Sequence, residues 1–78
     1  MRLLISNSEG HILSIPFSAS EEQVLFVLFA DDIRSFAGNR NNKLSFLVLD
    51  DERYSIHKGT IWVNRTVGQE PFKIKYEY

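Results

Sequence analysis

The spacing of apolar residues changes several times along the chain, and each change marks an element. Arg2 to Ser6 is a short apolar run suited to a strand. Asn7-Ser8-Glu9-Gly10 follows as a turn cluster, with Gly10 free to take a positive φ. In His11 to Phe17, Leu13, Ile15 and Phe17 recur with a period of two and share one face. Pro16 cannot donate to a ladder, which places it at a strand end or on an edge. The two runs predict an N-terminal hairpin.

A helix is predicted over 20–37. Two overlapping capping boxes open it, Ser18 with Glu21 and Ser20 with Gln23. Glu21 and Glu22 set negative charge at the positive end of its dipole. Gly38 and Asn39 supply the chemistry of a C-terminal cap. The apolar run Val24 to Ala30 would suit a buried strand on composition alone, but the caps on both sides decide for helix. At 100° per residue, Leu25, Phe26, Phe29, Ile33 and Phe36 form one stripe wide enough to cover a small sheet.

Beyond the polar loop at Asn39-Arg40-Asn41-Asn42, strands are predicted at Lys43–Leu49, Arg53–His57 and Thr60–Asn64. Asp50-Asp51-Glu52 and Lys58-Gly59 are the turns between them. A loop from Thr66 to Pro71 leads to Phe72–Tyr78, where Phe72, Ile74, Tyr76 and Tyr78 face one way and the charges the other. The pattern predicts a single α+β domain over 1–78. It has one antiparallel sheet of five or six strands in the order ββα then a meander, with one helix packed on one face. The expected core is Leu3, Ile5, Leu13, Ile15, Leu25, Phe29, Ile33, Phe36, Phe46, Val48, Ile56, Ile61, Val63, Phe72 and Ile74. The pattern leaves open which face Trp62 takes between Ile61 and Val63.

Composition narrows the function classes. The chain has 78 residues, 44% apolar, and no cysteine. That excludes disulfides, a cysteine nucleophile and thiolate metal sites, and it fits a reducing compartment. The apolar start at Met1 stops at Ser6-Asn7, short of a signal-peptide core, and no run approaches the length of a membrane span. A cytoplasmic protein is expected. The net charge of −1 argues against strong nucleic-acid electrostatics for the chain as a whole.

Val24, Val27 and Leu28 lie at i, i+3 and i+4, largely outside the core stripe, where a helix lying on a sheet should be polar. They read as a second contact surface, unless the hairpin or the 39–42 loop folds over them. Asp31 and Asp32 would form its rim. Asp50, Asp51 and Glu52 make a second acidic patch at a hairpin tip. From Glu21 to Glu52 there are seven acids and three bases, and from Arg53 to Tyr78 five bases and two acids. An acidic surface of this kind steers association with a basic partner, although turn and helix-surface charge is the plainer explanation.

Trp62, Arg65, Lys73 and Lys75, with Lys58 and Tyr54, could instead form a basic aromatic strip able to hold single-stranded nucleic acid. No RRM aromatic motif and no basic helix supports that alternative. His11 and His57 lack a paired ligand spacing, so no metal or cofactor is expected. No nucleophile elbow or phosphate-cradling glycine loop is present, and neither an enzyme nor a small-molecule substrate is expected. Asn64-Arg65-Thr66 matches a glycosylation sequon, read as a chance match because a secretory signal is not expected. The leading expectation is a non-enzymatic binding module, such as a small inhibitor, immunity-type protein or adaptor, whose partner is another protein. A homodimer through the same face is the structural alternative.

Overall fold

The computed structural model of the protein describes residues 1–38, 42–50, 55–63 and 72–77. Five strands, β1 (Arg2–Ser6), β2 (Ile12–Pro16), β3 (Asn42–Leu49), β4 (Ser55–Val63) and β5 (Phe72–Glu77), form one sheet in the order β2-β1-β3-β4-β5. Every neighbouring pair is antiparallel. The helical segments lie between β2 and β3 in sequence. The chain therefore leaves the β2 edge, passes over one face of the sheet and returns beside β1. The α+β class with a single sheet is as expected.

Local chemistry explains the first hairpin. The Asn7 side-chain carbonyl accepts from the backbone N–H groups of Glu9 (3.0 Å) and His11 (2.9 Å). Gly10 closes the turn at φ +87°, a conformation that costs glycine little. This fixes a register in which Leu3 faces Ile15 and Ile5 faces Leu13. Pro16 ends the edge strand β2, where its missing donor harms no ladder.

The helical region departs from the expected continuous 20–37 helix. It is a 3₁₀ segment (Ala19–Val24), then α1 (Leu25–Leu28), then α2 (Ala30–Ala37). The Ser18–Glu21 box forms, with the Ser18 N–H and hydroxyl donating to Glu21 Oε1 at 2.9 and 2.7 Å. Ser20 falls inside the 3₁₀ segment, so it caps nothing. The chain bends at Phe29 (φ −108°, ψ 22°), and hydrogen bonds Phe29 N–H to Leu25 O and Ile33 N–H to Phe29 O bridge the bend. In an unbroken helix Phe29 would sit mid-stripe. Val24 to Phe29 is six consecutive bulky residues, with β-branched and aromatic side chains that lose χ1 freedom in a helix. The bend leaves Phe29 half-buried and drives Leu25, Phe26, Ile33 and Ala37 into the core. Gly38 caps α2 at φ +84°, donating to Arg34 O.

Two further corrections concern the strands. Lys58-Gly59 is not a turn, because β4 runs through it without interruption, and three strands follow the helices rather than four. Gly59 pairs with Phe46 on one side and Tyr76 on the other. A Cβ there would strike the Lys75 carbonyl and the Phe46 ring. Glycine is present to admit a neighbour, which is its other role within a strand. The core also takes in Phe17, Phe26, Ala37 and Leu44, which the expected set left out, while Leu13, Phe29, Phe36, Phe72 and Ile74 pack against it only partly buried. The Ile56 side chain lies outside the described residues.

Two predictions follow from these contacts. Gly59→Ala should destabilise the fold by about 2–3 kcal/mol in urea unfolding, since the added methyl meets backbone as well as ring. A loss under 0.5 kcal/mol would show that Phe46 is free to yield. The second concerns acid. Hydrogen bonds from the Ser18 backbone and then its hydroxyl hold the Glu21 carboxyl below its usual value of 4.5. The folded state favours the ionised form, so this contribution is present above that value and is lost as pH falls through the lowered one. Glu21→Gln should therefore lower the melting temperature near pH 7, with the difference from wild type shrinking as the pH falls below the usual carboxylate value.

Candidate functional site

The register sorts the charged residues onto two opposite sides. On the core face of the sheet, Leu3, Ile5, Leu44, Phe46, Val48, Ile61 and Val63 are buried beneath the helical layer. That layer carries Glu21, Glu22, Asp31 and Asp32 against the single base Arg34. Strand alternation turns Arg2, Lys43, Lys58, Lys73 and Lys75 to the other face, with Glu77 the one carboxylate among the described residues there. Acidic and basic surfaces thus lie back to back, a point that needed the strand order.

Val24, Val27 and Leu28 are 47, 78 and 52% exposed, so the hairpin does not cover them. Asp31 and Asp32 follow them at the start of α2 and are exposed. Asp50 is placed elsewhere. It is half-buried at the end of β3, in a groove shared with Met1, Arg2, Phe17 and Ser18. Asp51, Glu52, Tyr54 and Arg65 lie outside the described residues.

Trp62 takes the outer face and is 49% exposed. It stands directly between Lys43 on β3 and Lys73 on β5. The Lys43 ammonium lies 5.1 Å from the centre of its ring, in cation–π range. Beside this row run Ser6, Ser45, Thr60 and Lys75, matched across β1, β3, β4 and β5. A third row joins Leu4, Leu47, Lys58 and Glu77. Lys43 was not among the residues picked from the sequence as candidates. Its place beside Trp62 depends on the β3–β4 register, which no local sequence signal reports.

His57 lies inside β4 rather than at a strand end, and it faces the helical layer. Its Nε2 is 3.1 Å from Glu22 Oε1, each side chain about one-third exposed. The pair lines a cleft of roughly 290 Å³ with Gln23, Phe26 and Tyr76. It fastens the 3₁₀ segment to the sheet. Among the described residues no three metal-ligating side chains come together, and no helix is long and apolar enough to cross a membrane. Comparison of the chain with family models, curated proteins and solved structures finds no match.

If Val24, Val27 and Leu28 are surface residues, replacing all three with serine should change stability by less than about 1 kcal/mol. Ile33→Ala, in the fully buried counterpart of the same layer, should cost about 2–5 kcal/mol. Equal losses in urea unfolding would mean that the exposed trio also carries the fold.

Proposed function

We propose that the protein is a non-enzymatic binding module whose helical layer docks onto another protein, in the manner of a small inhibitor, immunity-type protein or adaptor. The exposed aliphatic trio Val24, Val27 and Leu28 carries this reading. Clustered apolar residues on a surface that could have been polar lose water when a partner covers them, and that burial drives association. Asp31 and Asp32 supply the rim, with Glu21 and Glu22 adding to the negative field. A partner with an apolar anchor inside a basic border fits this surface, and opposite charge would speed the encounter and set its orientation. Function then lies in occlusion of the partner's own site. The absence of cysteine supports a place in the reducing cytoplasm.

The test is recovery of partners on tagged protein, with nuclease present, for wild type and Val27→Glu. The reading expects one dominant partner, lost in the variant while the fold is kept. Its association rate should fall with added salt and fall again in Asp31→Lys/Asp32→Lys. Light scattering that shows a dimer dissolved by Val27→Glu, with no other partner, would replace this reading with a homo-oligomer.

A further inference from the structure

We propose that the outer face of the sheet, opposite the helical layer, binds single-stranded nucleic acid by stacking a base on Trp62 and pairing phosphates with Lys43, Lys58, Lys73 and Lys75. The face has the chemistry for both halves of such a ligand. Its cations stand on three adjacent strands: Lys43 and Lys73 flank an exposed indole, Lys75 lies in the next row, and Lys58 lies in the row beyond, opposite Glu77. Aromatic stacking with basic flanks is how sheet surfaces hold single strands without reading sequence. Beside the indole, Ser6, Ser45 and Thr60 line a shallow groove of roughly 400 Å³ with Leu4 and Ile12, closed at one end by Lys58 and Glu77, which offers hydroxyls and apolar floor to a sugar and base.

The strand order removes the objection raised by the chain's net charge. The acids of the helical layer lie behind the sheet, and the molecule's shortest dimension is 21 Å. A bound phosphate lies within a few ångströms of the outer lysines and much farther from those acids, so it meets mainly the local cations, with Glu77 the one described carboxylate among them. A single strand is favoured over a duplex because a duplex keeps its bases stacked inside, out of reach of an indole on an open sheet. An acidic protein would also satisfy the lysines, but an indole flanked by cations in one cross-strand row suits a stacked base with its phosphates.

Trp62 is the only tryptophan, so its fluorescence reports on the site directly. The protein is titrated with oligo(dT) and oligo(rU) of about 15 nucleotides, a duplex of equal length and heparin. Quenching by the single strands with micromolar affinity is expected, the two oligomers separating DNA from RNA preference. Four phosphate contacts predict roughly 50-fold weaker binding on going from about 50 to about 200 mM salt. By anisotropy of a labelled oligomer, Lys58→Glu/Lys75→Glu should weaken binding at least tenfold. Trp62→Ala should weaken it about tenfold and Trp62→Phe much less, each with unchanged circular dichroism. Val27→Glu, on the opposite side, should bind as wild type, which separates this proposal from the docking role of the helical layer. Absence of binding at low salt overturns the proposal. So does equal affinity for heparin and duplex with no effect of Trp62→Ala, which would mark a general anion surface.

Discussion

The fold turns on the ring of Phe46. It lies on the core face of the middle strand, with Ile5 beside it on β1 and the bare backbone of Gly59 beside it on β4. Phe26 of α1 meets it edge-on at 5.1 Å, and Tyr76 of β5 meets it edge-on at 5.5 Å. One side chain therefore joins the helical layer to four strands. Each aromatic contact adds about 0.5–1.5 kcal/mol beyond the area it buries. The ring can occupy this place only because residue 59 has no side chain. Because β4 stays continuous through Gly59, β5 pairs along it from Lys58 to Val63, and the rows on the outer face follow from that register.

The same register accounts for the segregation of charge. A chain with net charge −1 has no obvious electrostatic character when averaged. Among the described residues folding separates much of its charge, because four of the seven acids lie in the helical segments and five of the six bases lie on the strands. An antiparallel sheet with one helical layer leaves its second face uncovered. Lysines on that face protect an exposed sheet from pairing with other sheets, so part of the basic pattern has a purely structural use. Trp62 packs with Lys43 in its cross-strand row, and as an exposed aromatic among these lysines it gives the face a chemical identity.

Much of this architecture can be read from local signals. Ser18 and Glu21 mark the start of the helical region and Gly38 its end, because capping depends on residues three or four apart. Gly10 and the alternation from Phe72 to Glu77 are equally local. Gly59 shows where such reading stops. A glycine after a lysine suits a hairpin turn and also suits a strand crossed by a neighbouring ring. Only the distant Phe46 and Lys75 decide between them. The bend at Phe29 is non-local in the same way, since it depends on how many bulky side chains the sheet can accept. The exposed trio was legible because it breaks the helical period, whereas the approach of Lys43 to Trp62 required the pairing of two strands.

The separation of the two faces has a consequence for how the protein can act. Among the described residues the helical layer and the outer sheet face lie on opposite sides of a core packed around Phe46. A ligand on one face can influence the other only through that core or through the field of the charges. Where field lines between the two faces run through solvent, physiological salt screens them within about 8 Å. Two described polar contacts tie the helical layer to the sheet near the surface, Glu22–His57 between the 3₁₀ segment and β4 and Asn42 Nδ2 to the Ala37 carbonyl between β3 and α2. Loss of the Glu22–His57 contact would loosen the start of the helical layer while leaving the β1–β3 pairing intact. The two proposed sites would therefore be independent surfaces on a shared scaffold, with the Phe46–Gly59 contact as the feature that both require.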